Sequence, residues 1–383
     1  MTVEVRYLGH LGNNLFQYAL GRIIAERLGQ GLRCVPAADL PGWSAVERDA
    51  GISARLSDCA GAFADAPQQL PGATGSGDAL RYVLGEKPGW SGHGIDLDHL
   101  LEHGAGRPIV LKGYFQRCEY YHPHAERIRH WLRWATGPDG PDLAPDDVVV
   151  HLRQSIDMFV LERAIDLAFY RDTLAAMSPG RVYVCGLGLG PAVQAALAPF
   201  KPTYLDLPAI PTLALLTRAR RIVLANSTFS WWGAYLSQAD EVVFPCVVHG
   251  YWGRERAEVA LEVPEARYRY VRNVGVQVWR PFTPVAGVQF SLRDVDTDRP
   301  VLVSRTPGRN GSGFSLRPAL LPLAEWLCRR SRPFGLADLF TAELAPPPHD
   351  AVARLLVALC RAGAFAAPAE ALTALAGFYG FVP

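Results

Sequence analysis

The sequence predicts an α/β fold: two Rossmann-like lobes followed by a small, mainly helical module of winged-helix type. Three observations lead there. The N-terminus opens as a strand, a glycine-containing loop and a helix. Apolar runs of strand length alternate with helical patterns through residues 146–282. Beyond residue 300, leucines recur at helical spacing.

The first lobe is expected over residues 1–140. Val3-Glu4-Val5-Arg6-Tyr7 reads as a strand and Gly9–Asn14 as the loop. Leu15, Tyr18, Ala19, Ile23, Ile24 and Leu28 then mark a helix face. Residues 60–110 are rich in Gly, Ala and Pro and predict no clear element. A helix around His124–Trp134 closes the lobe, and Thr136–Asp142 reads as a linker.

The second lobe is expected over residues 146–282. Strand-like runs lie at Asp147–Leu152, Arg181–Cys185, Pro202–Leu205, Arg221–Ala225 and Glu241–Pro245. Helical patterns lie between them at Phe169–Met177, Pro191–Ala198, Ile210–Ala219 and Trp231–Gln238. Such alternation predicts a parallel sheet covered on both faces, with ligands at the carboxyl ends of its strands.

The third segment, 300–383, begins with the polar stretch Thr306–Gly313. Leu316, Leu320, Leu323 and Leu327 form one helix stripe, Leu336, Leu339 and Phe340 a short second helix, and Val352, Leu355, Leu356 and Leu359 a third. Residues 364–383 suit a closing hairpin or helix. From Thr283 on, ten arginines stand against eight carboxylates, too even a balance to suggest DNA. Dimerisation of the chain, or recognition of a protein or peptide acceptor, is the expected role.

Composition narrows the function classes. With 49% apolar and 20% charged residues the chain reads as a globular protein, and a net charge of +1 gives no case for nucleic acid or an anionic membrane. The seven cysteines are odd in number and scattered, with no C-x-x-C, which argues against a disulfide framework or a zinc site. The chain opens directly in a strand, and no apolar run approaches the ~20 residues of a membrane span. A cytoplasmic, bacterial enzyme is the expectation.

The segment Asn226-Ser227-Thr228-Phe229-Ser230-Trp231-Trp232-Gly233 stands where a strand hands over to a helix. Backbone N–H groups and hydroxyls at such a positive helix end suit a phosphate; an N-cap followed by two core tryptophans is the alternative. Three more segments accompany it: Gly9-His10-Leu11-Gly12-Asn13-Asn14-Leu15-Phe16-Gln17-Tyr18-Ala19, Leu111-Lys112-Gly113-Tyr114-Phe115-Gln116 and Val148-Val149-Val150-His151-Leu152-Arg153. In order and approximate spacing these resemble glycosyltransferase family 11, the α-1,2-fucosyltransferase family, over about residues 5–255. The resemblance implies a GT-B architecture. It also implies transfer of fucose from GDP-fucose to a hydroxyl of a glycan, peptide or small-molecule acceptor. The GDP-sugar is then a co-substrate, and no cofactor or metal is expected.

The resemblance assigns roles residue by residue. Arg153 matches the arginine that neutralises the departing diphosphate, and a guanidinium fork suits that task. His151 matches a histidine near the guanine and ribose. Asn226, Ser227, Thr228 and Phe229 match the phosphate-binding turn. The family's second arginine is Gln154 here, and Asp157 stands where a Gly-Asp pair is expected. The family's Ser-Asp-Asp type turn is replaced by Cys185-Gly186-Leu187-Gly188-Leu189-Gly190, leaving Asp206 as the candidate carboxylate for the base. His10 and Asp157 are the candidate general bases for the acceptor hydroxyl. Asn13, Asn14 and Gln17 carry amides suited to a hydroxyl-rich ligand, with capping and packing as their other uses. Trp231 and Trp232 suit buried core better than a sugar platform.

Two rival functions compete. Gly186-x-Gly188-x-Gly190 with Asp206 resembles a dinucleotide fingerprint and would suit a nicotinamide-dependent oxidoreductase, although the spacing is not G-x-G-x-x-G. A catalytically inactive sugar-nucleotide-binding or scaffold protein is the other. Asp96-Leu97-Asp98 and Asp294-Val295-Asp296 each match a metal-binding D-x-D, for which solvated acidic loops are the default.

Overall fold

Strand and helix alternate from the first residues, and each early strand pairs in parallel with a neighbour. In the computed structural model β1 (Thr2–Arg6), β2 (Gly31–Val35), β3 (Leu80–Val83) and β4 (Ile109–Lys112) form a sheet of order β2-β1-β4-β3. The model describes residues 1–36, 54–65, 79–86, 90–137, 139–155, 158–159, 163–247, 259–277, 281–309, 311–316, 318–335 and 349–378. Helix α1 (Leu11–Leu28) joins β1 to β2. From Leu11 to Gly21 every residue of α1 except Asn13 is buried. Helices α2 (Leu97–Gly104) and α3 (Ala125–Trp131) follow, the latter within the stretch expected to be helical.

The second sheet is also wholly parallel. It contains β5 (Val148–Arg153), β6 (Val182–Leu187), β7 (Thr203–Leu205), β8 (Arg221–Val223), β9 (Glu241–Cys246) and β10 (Tyr268–Arg272), in the order β10-β9-β8-β5-β6-β7. Helices α4 (Leu167–Met177), α5 (Pro191–Leu197), α6 (Ala209–Arg218) and α7 (Thr228–Leu236) occupy the intervals where sequence periodicity places them. Apart from His151, β5 is apolar and buried through Leu152, as suits a central parallel strand.

Both sheets belong to one compact unit made of Met1–Asp39, Ala50–Gln154 and Ile165–Val276. Its two sheets are joined by aromatic packing between α1 and α7. Phe16 lies 4.9 Å from both Trp231 and Trp232, and Tyr121 edges onto both tryptophans. Trp231 also stacks on Tyr235 at 4.4 Å and donates its indole N–H to the Leu261 carbonyl. Aromatic pairs of this kind contribute about 0.5–1.5 kcal/mol each beyond area burial. The double tryptophan is core, with no face left for a sugar.

A second unit comprises residues 277–383 with the short segments 40–49 and 155–164. It holds more than helices. β12 (Gln289–Arg293), β13 (Val301–Arg305) and β14 (Ser312–Ser315) form an antiparallel sheet, and β11 (Thr283–Pro284) pairs with β15 (Phe365–Ala366). Period-two patterning puts Phe290, Leu292, Leu302 and Phe314 on one face of that sheet, against the core. The leucine stripe is buried throughout, yet only Leu323 and Leu327 lie in α8 (Leu321–Cys328). Leu316 follows β14, and Leu320 closes a 3-10 turn. Val352, Leu355, Leu356 and Leu359 line α9 (His349–Arg361), and α10 (Ala369–Phe378) follows β15. The helix expected at Leu336, Leu339 and Phe340 lies outside the described residues. Among the described residues this unit's core runs from Phe282 to Leu375.

Candidate functional site

The strand order of the second sheet locates a crevice. β5 and β8 are neighbours, and the chain winds outward from them in opposite directions, β6-β7 to one side and β9-β10 to the other. Loops leaving the two strands at their carboxyl ends diverge there, which is where open α/β sheets bind ligands. Arg153 ends β5, and Asn226-Ser227-Thr228 follow β8. Val150 pairs with Val223, so continuing that register brings Arg153 level with Asn226.

The turn after β8 is a helix cap. Ser227 is the N-cap of α7, and its hydroxyl accepts the Phe229 N–H at 3.2 Å. Neither the Thr228 nor the Ser230 N–H donates to a backbone carbonyl among the described residues. First-turn donors of a helix require partners from outside it, and an anion supplies them. Ser230 Oγ lies 2.7 Å from His151 Nδ1, and the His151 ring rests on Phe229 at 5.4 Å. Arg153 stands two residues beyond His151 and so shares its face of β5. Burial, and then the nearby Arg153 charge, push the His151 imidazole down to about 3, so it is neutral at pH 7.

The loop before α1 meets the same turn. Gly12 has no room for a side chain, because a Cβ there would lie 2.5 Å from Phe229 N and 2.8 Å from Thr228 Oγ1. Asn13 Oδ1 accepts from Thr228 Oγ1 at 3.2 Å and from Gln116 Nε2 at 2.9 Å. Gln116 follows Phe115, which is held at φ 51°. A bulky residue at positive φ costs on the order of 1–3 kcal/mol. Three contacts hold it there: Gly92 O accepts the Phe115 N–H at 2.9 Å, while Phe115 O takes the Tyr121 hydroxyl at 2.7 Å and the Arg117 N–H at 3.0 Å. All four segments singled out in the sequence therefore converge here.

Other expected site residues serve different ends. Asn14 and Gln17 are fully buried and spend their amides on the loop backbone. Asn14 Nδ2 donates to Leu8 O and its Oδ1 accepts the Leu56 N–H, while Gln17 brackets Leu8 and donates to Gly113 O at 2.8 Å. They anchor the loop and present nothing to a ligand. His10 is the half-buried N-cap residue of α1, without a side-chain capping bond. Asn226 is fully buried behind the α7 cap. Asp206 is exposed just past β7 at the carboxyl edge, and Asp157 lies outside the described residues.

The glycine fingerprint has a steric origin. A Cβ on Gly186 (φ 117°) would lie 2.0 Å from Leu152 O, and one on Gly188 (φ 72°) 2.0 Å from Gln154 O; Gly190 has nothing within 4 Å. The first two are required by the approach of β6 to β5, which removes the sequence support for a nicotinamide site. Asp96 of the first D-x-D caps α2 by accepting the His99 N–H at 2.9 Å, and Asp294 of the second turns the β12–β13 hairpin. No group of three or more His, Cys, Asp or Glu is placed to hold a metal among the described residues. No helix among them is long and apolar enough to cross a membrane.

Sequence reasoning passed over Ser230 and Gln116 as functional positions. Both lie inside the recognised segments, and Ser230 is three residues past the Ser227 cap, one helical turn on.

No family model and no curated protein matches this chain. Among solved structures it is similar to a NodZ α-1,6-fucosyltransferase soaked with GDP-fucose, at 16% identity and TM-score 0.37, over 63% of this chain and 93% of that one. An Arabidopsis thaliana FUT1 variant in complex with GDP shows 11% identity and TM-score 0.37, over 72% of this chain and 73% of that one. The E. coli heptosyltransferase WaaC with ADP shows 13% identity and TM-score 0.35, over 71% and 93%.

Proposed function

We propose that this protein is an inverting, metal-independent glycosyltransferase that moves fucose from GDP-fucose to a hydroxyl of a glycan or peptide acceptor. One observation carries this reading: the topological switch point between β5 and β8 is flanked by Arg153 on one side and by the capped, donor-presenting start of α7 on the other. That pairing suits a diphosphate. The acceptor oxygen attacks the anomeric carbon in line, the bond to the β-phosphate oxygen breaks, and the nucleoside diphosphate leaves with the electron pair. Configuration at the sugar carbon inverts because there is one displacement.

Negative charge grows on the leaving phosphate, and Arg153 with the α7 N–H groups neutralises it. The acceptor's proton passes to a base, for which His10 at the start of α1 is the candidate among the described residues. The second unit is the natural carrier of acceptor recognition or of self-association, since its core is separate from that of the nucleotide-binding sheet.

Incubation with a panel of GDP-, UDP- and dTDP-sugars, scoring release of free sugar and thermal stabilisation, tests the reading. GDP-fucose should stabilise the protein and be hydrolysed slowly without acceptor. Stabilisation by NAD(H) alone would replace the reading with the oxidoreductase, and GDP-sugar binding without turnover on any acceptor would favour the scaffold.

A further inference from the structure

We infer that Asn13 is a positioning residue, which clasps the start of α7 to the α1 loop, and that the Thr228 hydroxyl serves this clasp and not a phosphate. The inference rests on the donor reading above only for its nucleotide measurement.

A threonine hydroxyl has one proton. In this site it is directed at Asn13 Oδ1, 3.2 Å away, and cannot also be given to a phosphate oxygen. The acceptor is shared with Gln116 Nε2 at 2.9 Å, so one amide oxygen ties α7 and the segment after β4 to the first turn of α1. Thr228 and Gln116 are buried and Asn13 is half-buried, which limits the competition of water for either bond. The absence of a side chain at Gly12 lets the two helix starts approach to backbone contact, and only at that range does Asn13 reach both donors. Phe115 at φ 51° is strained in the residue just before Gln116, and strain maintained by surrounding bonds marks a position whose direction matters. The clasp leaves the anion to the backbone N–H groups of Thr228 and Ser230 and to Arg153. Asn13 then acts on the ligand through α7, by holding those N–H groups in place.

A double-mutant cycle separates the clasp from a direct ligand contact. Asn13→Ala, Thr228→Val and the double variant are compared for GDP affinity by calorimetry and for urea unfolding midpoint, with Thr228→Ser as the conservative variant. Thr228→Val loses one hydrogen bond, which predicts about a fivefold weaker GDP affinity, and Asn13→Ala, which also loses the bond from Gln116, should cost at least as much. The double variant should be no worse than Asn13→Ala, because that change has already broken the bond that Thr228→Val removes. Thr228→Ser keeps the hydroxyl and should stay within about twofold of the unaltered protein. A Thr228→Val cost of equal size with and without the Asn13 side chain would show a direct ligand contact and overturn the inference; so would single variants that leave GDP affinity unchanged. Should the unaltered protein bind none of the panel nucleotides, the donor reading fails and the clasp is judged on the urea midpoint alone. Non-additive losses there support it, and additive losses or none refute it.

Discussion

The Ser230 hydroxyl lies 2.7 Å from His151 Nδ1, and this contact joins the strand that ends in Arg153 to the first turn of the helix that faces it. His151 is thereby a brace between the two halves of the proposed anion site. Its ring is too deeply buried to exchange protons at neutral pH, and its hydrogen bond to Ser230 and its contact with Phe229 fix the face of β5 on which Arg153 emerges.

That burial has a pH signature. The His151 imidazole falls from its usual 6.5 to about 3 in the folded protein. Between those values the unfolded chain binds the proton and the folded one does not. Stability is therefore complete above about pH 6.5 and falls as pH drops toward 3, by up to ~1.4 kcal/mol per pH unit from this group. Urea unfolding at pH 7, 6 and 5 should show a steeper loss for the native protein than for His151→Gln. Equal slopes would place the imidazole in a more polar setting than the structure gives it.

Arg153→Ala should abolish transfer while the fold survives. Loss of a charged transition-state donor costs about a hundred- to thousand-fold in turnover, roughly 3–4 kcal/mol. Arg153→Lys should restore little of it, since an ammonium cannot grip two phosphate oxygens in the plane of a fork. Steady-state kinetics with the donor identified in the nucleotide panel measures both, and near-normal turnover of a well-folded Arg153→Ala would remove this arginine from the site.

Activity should survive EDTA, because Arg153 and the α7 N–H groups neutralise the diphosphate without a divalent ion. Asp96 is engaged in capping α2, and among the described residues no group of three or more His, Cys, Asp or Glu is placed to hold a metal. Loss of transfer on chelation with recovery on Mg²⁺ or Mn²⁺ would contradict this.

Gly186 in β6 and Gly188 and Gly190 just beyond it should respond unequally to alanine. Gly186→Ala and Gly188→Ala drive a methyl into the Leu152 and Gln154 carbonyls at positive φ, and each should destabilise the fold by about 1–3 kcal/mol or more. Gly190→Ala meets no atom within 4 Å and should stay within about 0.5 kcal/mol of the native protein. Thermal unfolding of the three variants checks the order. A nucleotide-binding fingerprint would instead show affinity losses without that ranking in stability.

Residues 277–383 expressed alone should fold with a cooperative melt, since the described core of their unit, from Phe282 to Leu375, is made of them. Circular dichroism and thermal unfolding of the fragment would show this, and a fragment without a cooperative transition would mean that the unit needs the rest of the chain.

The sequence by itself determined the order and period of the elements. Periodicity of two or 3.6 is a local property, and the unbroken apolar stretches Val148–Val150 and Val242–Phe244 fit parallel strands buried on both faces. It also marked the strings around Asn13, Gln116, His151 and Thr228 as belonging together. Tertiary structure decided what each side chain in those strings does. Asn13 and Asn14 are adjacent and chemically identical, yet one joins two helices and the other holds a loop, because successive residues of a helix point about 100° apart and meet different neighbours. The strands at Gln289–Arg293 and Val301–Arg305 were obscured by their polar outer faces and became evident only through antiparallel pairing. Hydrogen bonds between residues a hundred or more apart in sequence, such as Gln116 to Asn13 or Thr228 to Asn13, leave no local pattern to read. They exist only once burial has brought the strands and helices together, and they bring the four strings to one place in the fold.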